Sequence, residues 1–393
     1  MQIIMFKCSY VILLLCLFHT IVNGQTFSFS PQLSYDSDLT NIDLIKNNIE
    51  QLFDQISNEE ISDDIIYETN RDLTKHIFLG YGIFDSEQMN AGQQSYIEVI
   101  NLYKLEENVF SFDVSVMESD SFTKAPSLQN LINIIAYVYD DKVEFTLPLH
   151  QHTRQWKTQQ VGSIKYHYPH VLNLERANEF DRKNKLIASR FGIEHEEIDF
   201  YMCSNFQDIL AILGVKYDAF ENGKYADGYG VVSNHIFSIQ NNEDFSHDIF
   251  HFYSGKLHQR SNRNWIAEEG IAYSWGNAYY ADKNGEMINQ DVLIQELLNY
   301  HADHPNESLY GIFKTNKKIY NHISPYISVR SLISSVICDE IYEELQMNGI
   351  LKIINAGRVP SHHESFMAQI EGLLELTEDN FDSRVLTLLG RYK

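Results

Sequence analysis

The stretch "EDFSHDIFHFYSGKLHQRSNRNWIAEEGIAYSWG", residues 243–276, combines two histidines four residues apart with a later pair of glutamates. On a helix, residues four apart lie about 40° apart around the axis, so His247 and His251 can point their imidazoles at one ion. In a chain with 16 histidines, however, such a pair arises by chance about as often as not. The spacing alone therefore leaves open two ordinary surface or core histidines.

The two glutamates could supply the third ligand that a pair of histidines lacks. A catalytic zinc site takes three protein ligands and keeps one position open, and a carboxylate is an accepted third ligand. Glu268 and Glu269 open a second predicted helix, capped by Asn262 or Asn264, after the polar loop "GKLHQRSNR". Two antiparallel helices joined by this loop would bring a glutamate back beside the histidines. The alternative is a solvated first helical turn, where the helix dipole favours acids.

This combination resembles the gluzincin-type metallopeptidases of the Peptidase MA superfamily, whose pattern is HExxH followed by a glutamate within E-G-x-A. Here "HDIFH" begins at His247 and "EGIA" begins at Glu269, and the similarity extends over roughly residues 162–393. The resemblance implies that His247, His251 and Glu269 are zinc ligands, and that Glu268 supports the site or is exposed. It also implies a peptide or protein substrate, cleaved by a metal-activated water.

Asp248 stands where that family has its glutamate general base. An aspartate has the same chemistry, but its reach is shorter by one C–C bond, about 1.5 Å. A misplacement of about 1 Å can cost on the order of a hundredfold in rate. The alternative function is therefore a catalytically impaired relative that binds metal and holds a peptide or a partner. A third possibility is a metal-free binding or structural protein in which the histidine spacing is a coincidence.

Further residues are candidates for roles at this site. The resemblance implies a downstream tyrosine that stabilises the oxyanion, and Tyr320 and Tyr326 in "IYNHISPYISVRSL" are the candidates. "HDIFHFYSGKLH" also resembles the metzincin pattern HExxHxxGxxH with Gly255 and His258 one residue too far along, which makes His258 a competing third ligand. Four other histidines lie in polar stretches and are predicted to be solvated loop residues: His301, His304, His362 and His363.

Composition limits the function classes. The chain has 393 residues, of which 44% are hydrophobic, so it can bury a sizeable core in about two domains. Its 54 acidic and 30 basic residues give a net charge of −24. A polyanion would be repelled over most of such a surface, which excludes nucleic-acid binding as a leading hypothesis.

The order of the predicted elements indicates an α+β protein. An amphipathic helix over residues 40–58 precedes runs rich in β-branched and aromatic residues, among them "HIFLGYGIF" and "VFSFDVSVM", that predict a β-meander. These elements define an N-terminal domain of unknown role, residues 25–160. Residues 161–393 form the second predicted domain, mostly helical with a small sheet that has an edge strand before the motif helix. In it, the helix "NLERANEFDRKNKLIASRFG" ends at Gly192, and "GYGVVSNHIFSI" is interpreted as one strand.

Residues 1–24 have the pattern of a signal peptide. Lys7 precedes the apolar run "YVILLLCLF", which is shorter than the roughly 20 residues of a membrane span, and small residues precede Gln25. The alternative is an N-terminal membrane anchor. The mature chain is expected to be secreted or periplasmic, with no integral membrane segment. Only Cys203 and Cys338 follow the signal peptide, so the mature chain can form at most one disulfide between its own cysteines, and a cysteine-rich zinc site is excluded.

Export gives the first testable prediction. Expressed with its own leader in a secreting host, the protein should begin at or near Gln25 and fractionate as soluble extracytoplasmic material, because the leader is removed on translocation. N-terminal sequencing of the fractionated protein measures this. A chain that keeps Met1 and stays in the membrane fraction would identify the leader as an anchor.

Overall fold

A computed structural model describes residues 26–33, 41–80, 94–119, 125–219, 228–278 and 288–392 of the chain. The chain divides into two compact units, Met1–Gln155 with Gln207–Tyr225, and Trp156–Phe206 with Ala226–Lys393. Strands dominate the N-terminal part and helices the C-terminal part, which confirms the predicted α+β class. The predicted signal peptide, residues 1–24, lies outside the described residues.

The bounds of the described elements are as follows. The strands are β1 (Thr26–Phe29), β2 (Gln94–Glu106), β3 (Val109–Ser119), β4 (Pro126–Tyr139), β5 (Lys142–Thr146), β6 (Lys157–Val161), β7 (Ile164–Tyr168), β8 (Ile198–Cys203), β9 (Val215–Asp218), β10 (Gly228–Val232) and β11 (His235–Ile239). The helices are α1 (Ile42–Ser57), α2 (Arg71–Gly80), α3 (Leu149–Thr153), α4 (Leu174–Phe191), α5 (Phe206–Ile212), α6 (Ser246–Leu257), α7 (Trp265–Trp275), α8 (Gln290–Asp303), α9 (Leu309–Thr315), α10 (Val329–Ile354), α11 (His362–Leu374) and α12 (Phe381–Leu389).

The first unit contains the predicted helix and β-meander. Strands β2, β3, β4 and β5 pair in chain order and antiparallel, while β1 lies parallel to β2. Strand β9, from much later in the chain, pairs antiparallel with β4. Helix α1 confirms the predicted amphipathic helix, since the apolar residues of one face are buried: Ile45, Ile49, Leu52, Phe53 and Ile56.

The prediction of a strand over "HIFLGYGIF" is wrong for its first half, which belongs to α2. Leu73, Thr74, Ile77 and Phe78 are buried, and spacings of three and four residues place them on one side of a helix. The apolar run is only the last part of a longer apolar face of this helix. By itself the run is too short to show whether apolar residues repeat with the period of a helix or of a strand. Residues 81–84 lie outside the described residues.

The second unit has a five-stranded sheet in the order β10–β11–β8–β7–β6. Strands β7, β8 and β11 are parallel, and β6 and β10 pair antiparallel at the two edges. The single strand predicted over "GYGVVSNHIFSI" is instead the hairpin of β10 and β11. Ser233 and Asn234 form its turn with φ of 45° and 63°, and two consecutive residues at positive φ are typical of tight hairpin turns.

Helix α4 forms as predicted from its end signals. The side chain of Asn173 accepts hydrogen bonds from the backbone N–H groups of Glu175 and Arg176. Gly192 ends the helix at a φ of 72°, a left-handed conformation that costs glycine little. Both ends of the helix are therefore fixed by local chemistry that the sequence shows.

Helix α7 packs so closely on α10 that there is no room for a side chain at Gly270. A Cβ atom on Gly270 would lie 2.7 Å from Cβ and 2.8 Å from the carbonyl carbon of Ser334. The hydroxyl of Ser334 donates to the carbonyl of Ile266 at 2.9 Å, and the thiol of Cys338 lies 3.9 Å from the carbonyl oxygen of the next residue, Ala267. Gly270 is thus needed for this close approach.

Two further findings concern cysteines and membrane spans. Cys203 and Cys338 are buried thiols, and the described residues contain no disulfide. None of the helices within the described ranges combines the length and the apolar composition needed to cross a bilayer.

Two matched glycine substitutions test the packing of α7. Gly270→Ala should lower the free energy of unfolding by about 1–3 kcal/mol, because the added methyl group overpacks the contact with Ser334. Gly255→Ala should raise it by about 0.5–1 kcal/mol, because Gly255 lies within α6 with only Arg263 near the added methyl group, at 3.7 Å. Chemical denaturation measures both changes. Equal stability of the two variants would contradict the close packing.

Candidate metal centre

The start of α6 is fixed by a buried acid. A carboxylate oxygen of Asp244 accepts the backbone N–H of Ser246 at 3.0 Å, and the other pairs with the Lys183 ammonium at 2.8 Å. On the core side of α6, three side chains are buried: Ile249, Phe250 and Tyr253. This packing fixes the rotation of α6 and turns His247 and His251 toward α7.

Helix α7 returns beside α6 as the sequence predicts. The side chain of Asn264 caps α7 by accepting the backbone N–H groups of Ile266 and Ala267 at 3.1 Å and 3.2 Å. At the other end of α7, a Cβ atom on Gly276 would lie 2.8 Å from the backbone nitrogen of His247. The end of α7 therefore meets the start of α6, which confirms the predicted antiparallel pair.

Three side chains from this pair converge. Nε2 of His251 lies 3.1 Å from Oε1 of Glu269, and Nε2 of His247 lies 3.7 Å from Oε2 of the same carboxylate. One possible ligand atom from each of the three residues falls within 4.8 Å of the other two, and among the described residues this is the cluster that could hold a metal ion. The predicted set of His247, His251 and Glu269 therefore meets at one point.

His251 and Glu269 are within hydrogen-bond distance, but their atoms are not aligned as in a regular hydrogen bond. Both ring nitrogens of His251 are buried, and neither has an aligned hydrogen-bond partner among the described residues, although Glu269 is close. His247 differs, because its Nδ1 lies 3.2 Å from the carbonyl oxygen of Asn277. That contact leaves Nε2 of His247 to face the cluster, as is usual for metal-binding histidines.

Electrostatics couple the histidines to the glutamate. Burial alone would raise the pKa of Glu269, but the contact with His251 and the charges of both histidines hold it below its usual value. Burial would lower the pKa of His251, but Glu269 and the other nearby carboxylates raise it above its usual value. A proton on His251 therefore competes with a metal ion for the same site.

Glu268 points to a different set of partners. Its side chain is 1% exposed, accepts a hydrogen bond from the hydroxyl of Ser254 and lies 3.1 Å from a guanidinium nitrogen of Arg263. The sequence left open whether Glu268 supports the site or is exposed, and exposure is wrong. Glu268 joins α6 to α7 through Ser254.

Asp248 is half-buried next to the cluster. Its Oδ2 atom is enclosed and has no hydrogen-bond partner among the described residues. Burial raises the pKa of Asp248, while the charges of His247 and His251 oppose that shift. An enclosed carboxylate oxygen without a partner costs free energy unless a cation, a proton or a water compensates it.

Two aromatic residues that the sequence analysis did not identify flank the cluster. Trp265 and Tyr273 lie one turn before and one turn after Glu269 on α7. The Trp265 ring stacks on His251 with centroids 5.4 Å apart, and the Tyr273 ring meets His247 edge-on at 5.7 Å. The spacing of four residues on either side of Glu269 was the available signal, since such residues share a helical face.

The two predicted oxyanion residues have different surroundings. Tyr320 is fully buried and its hydroxyl donates to the backbone carbonyl of Leu293 at 2.9 Å, whereas Tyr326 is 68% exposed. His258, the competing third ligand, lies outside the cluster of His247, His251 and Glu269, with Nδ1 3.0 Å from the amide nitrogen of Asn355. The catalytic roles of both tyrosines stay predictions.

The expectation that four further histidines are solvated loop residues is wrong for three of them. His301 lies within α8, and His362 and His363 open α11. Nδ1 of His362 accepts the backbone N–H of Trp265 at 3.1 Å. A polar stretch thus indicates an exposed helix end as readily as a loop.

Comparison with known proteins adds little to this geometry. No family model and no curated protein matches the chain. Among solved structures, a hypothetical protein from Chlamydia trachomatis is similar at 13% identity and a TM-score of 0.14, covering 29% of this chain and 71% of that one. A TM-score this low carries no argument about the fold or the function.

The adjacent glutamates allow a matched test of the cluster. Glu269→Gln should lower the affinity for zinc by more than about a hundredfold, because it removes a ligand charge. Glu268→Gln makes the same chemical change one residue earlier and should keep the metal while lowering the free energy of unfolding by about 1–3 kcal/mol, since Arg263 loses its ionic partner. Elemental analysis and competition with a chromophoric chelator measure the binding. Loss of zinc from Glu268→Gln alone would reverse the assignment.

Proposed function

We propose that the protein is an exported zinc-dependent hydrolase that cleaves peptide bonds. The observation that carries the proposal is the convergence of two imidazoles and one carboxylate, His247, His251 and Glu269, on a single point. The HDxxH and EGxA pattern on an antiparallel helix pair supports it, as does the signal-peptide pattern in residues 1–24.

The donor set and its spacing fit Zn²⁺. Tetrahedral zinc with bonds of about 2.0–2.1 Å places two ligand atoms about 3.3 Å apart. Nε2 of His251 lies 3.1 Å from Oε1 of Glu269 and Nε2 of His247 lies 3.7 Å from Oε2, so each histidine has a carboxylate oxygen near that distance. Three protein ligands leave one coordination position open, which is the arrangement of catalytic rather than structural zinc.

The enclosed oxygen of Asp248 is a separate observation that fits a cation. A buried carboxylate without a partner is stabilised by a positive charge or by a water that the charge orders. Within the described residues, no arginine or lysine forms an ion pair with Asp248, unlike Glu268, which has Arg263. A divalent ion held by the three ligands would supply that charge.

The residues of the chain then have distinct tasks in peptide hydrolysis. When bound, zinc would polarise the substrate carbonyl and lower the pKa of a water toward neutrality. Asp248 would accept a proton from the attacking water at its carboxylate and pass it to the amine, as the C–O bond forms and the C–N bond breaks. Asn277 keeps Nε2 of His247 facing the cluster throughout.

The side chain of Asp248 also determines the second candidate function. Burial raises its pKa, which makes the ionised carboxylate a stronger base. Its reach is nevertheless about 1.5 Å shorter than that of a glutamate. This difference favours, as the alternative, a metal-binding relative with impaired turnover that holds a peptide or a partner.

Substitutions at Asp248 distinguish the two functions. Asp248→Asn should keep the metal and lose about 10²–10⁴-fold in rate on an unfolded protein substrate such as casein, because the amide accepts no proton. Asp248→Glu should keep the metal and equal or exceed the parent rate by restoring the missing reach. The assay measures zinc content and cleavage rate side by side, with removal of zinc by a chelator and its return as the control.

Three outcomes would decide between the hydrolase and the impaired relative. If the zinc-loaded parent and Asp248→Glu both fail to cleave, the hydrolase proposal fails and the impaired relative stands. If the parent cleaves and Asp248→Glu is much slower, the site has adjusted to the shorter acid. If the parent binds no zinc, both metal-dependent functions fail.

A further inference from the structure

The two histidine rings of the cluster are held in different ways. His247 is oriented by the contact of its Nδ1 with the carbonyl oxygen of Asn277 at 3.2 Å. Nδ1 of His251 is buried and has no hydrogen-bond partner within the described residues. Instead, the His251 ring lies parallel to the Trp265 ring, with 8° between the planes and 5.4 Å between the centroids. This geometry is that of an offset aromatic stack.

Trp265 is fixed in place although its side chain is 55% exposed. Its backbone N–H donates to Nδ1 of His362 at 3.1 Å. The preceding residue, Asn264, is fully buried, and its amide donates to the carbonyl oxygens of Gly357 and His362, both at 2.8 Å. Hydrogen bonds to the segment that leads into α11 therefore hold the first turn of α7 in place.

The exposure of Trp265 calls for a reason other than core packing. Trp275, at the other end of the same helix, is 5% exposed and packs among aromatic rings. Trp265 shares the helical face of Glu269, because the two residues are four apart. On that face, the half-exposed indole stacks on the ring of His251.

We propose that Trp265 is a positioning residue for His251, which it orients by stacking in place of the hydrogen bond that usually holds a metal-binding histidine. The stack fixes the plane of the imidazole and so directs Nε2 toward Glu269. Residues that orient ligands in this way affect metal affinity without touching the metal. The proposal rests on the metal binding proposed above.

Zinc affinity of the full-length protein tests this role. Trp265→Leu removes the flat ring and should weaken zinc binding about three- to tenfold, whereas Trp265→Phe keeps a ring and should fall between Leu and the parent. Trp156→Leu removes a tryptophan elsewhere in the chain and should bind zinc as the parent does. Competition with a chromophoric chelator measures the affinities, and the unfolding midpoint of each metal-free variant confirms that it folds.

A spectroscopic readout accompanies the affinities. Co²⁺ bound at the cluster should quench the emission of Trp265, which is the one tryptophan left in the double variant Trp156→Phe/Trp275→Phe, because the chain has three. A Trp265→Leu variant with parent zinc affinity, or a double variant that binds Co²⁺ with its emission unchanged, would overturn the proposal while leaving the hydrolase intact. A parent that binds no zinc would instead overturn the proposed function, and this inference with it.

Discussion

The site depends on how the protein buries negative charge at the contact between α6 and α7. A carboxylate taken out of water costs several kcal/mol unless an opposite charge or good hydrogen bonds compensate it. Glu268 has Arg263 and Ser254, and Glu269 has the two histidines. Asp248 adds a third acid, and among the described residues it forms no ion pair with a lysine or arginine. The helix pair thus brings three carboxylates beside one arginine and two histidines, and the divalent cation proposed above would offset this negative charge.

A second buried aspartate shows what full compensation looks like. Asp113 in the N-terminal sheet is almost fully enclosed, and four side chains surround it: Asn101, Tyr103, Asn133 and Lys216. Burial would raise the pKa of Asp113, but these donors hold it below its usual value. The pKa of Asp248 moves the other way. The fold can thus satisfy a buried acid completely, whereas one carboxylate oxygen of Asp248 beside the histidines has no hydrogen-bond partner among the described residues.

Local signals in the sequence predicted most elements, and the resemblance to a metallopeptidase motif implied the three converging side chains and the helix α6 that carries two of them. Periodicity and caps identified α1, α4 and α7, because those signals act within one helix turn. The hairpin of β10 and β11 was missed because its turn residues, Ser233 and Asn234, adopt positive φ. Turns of this kind are usually marked by pairs such as Asn-Gly or Asp-Gly, and Ser-Asn is not one of them. Trp265 and Tyr273 were missed because their roles arise from the register of α7 against α6, which tertiary packing sets. The chemistry of the cluster stays a prediction, since geometry brings ligands together without identifying the ion.

Strand β9 has a consequence for how the chain is made. The part of β4 near Asn130–Ile132 keeps an unpaired edge until β9 arrives, and about 75 residues separate the two strands. A chain emerging from the ribosome or an export channel completes this sheet only after α4 and β8 have followed. During that interval the open edge can recruit another strand, which is a route to aggregation. A fragment cut before β9 would keep that liability permanently, so the N-terminal sheet is not a module that can be separated by one cut.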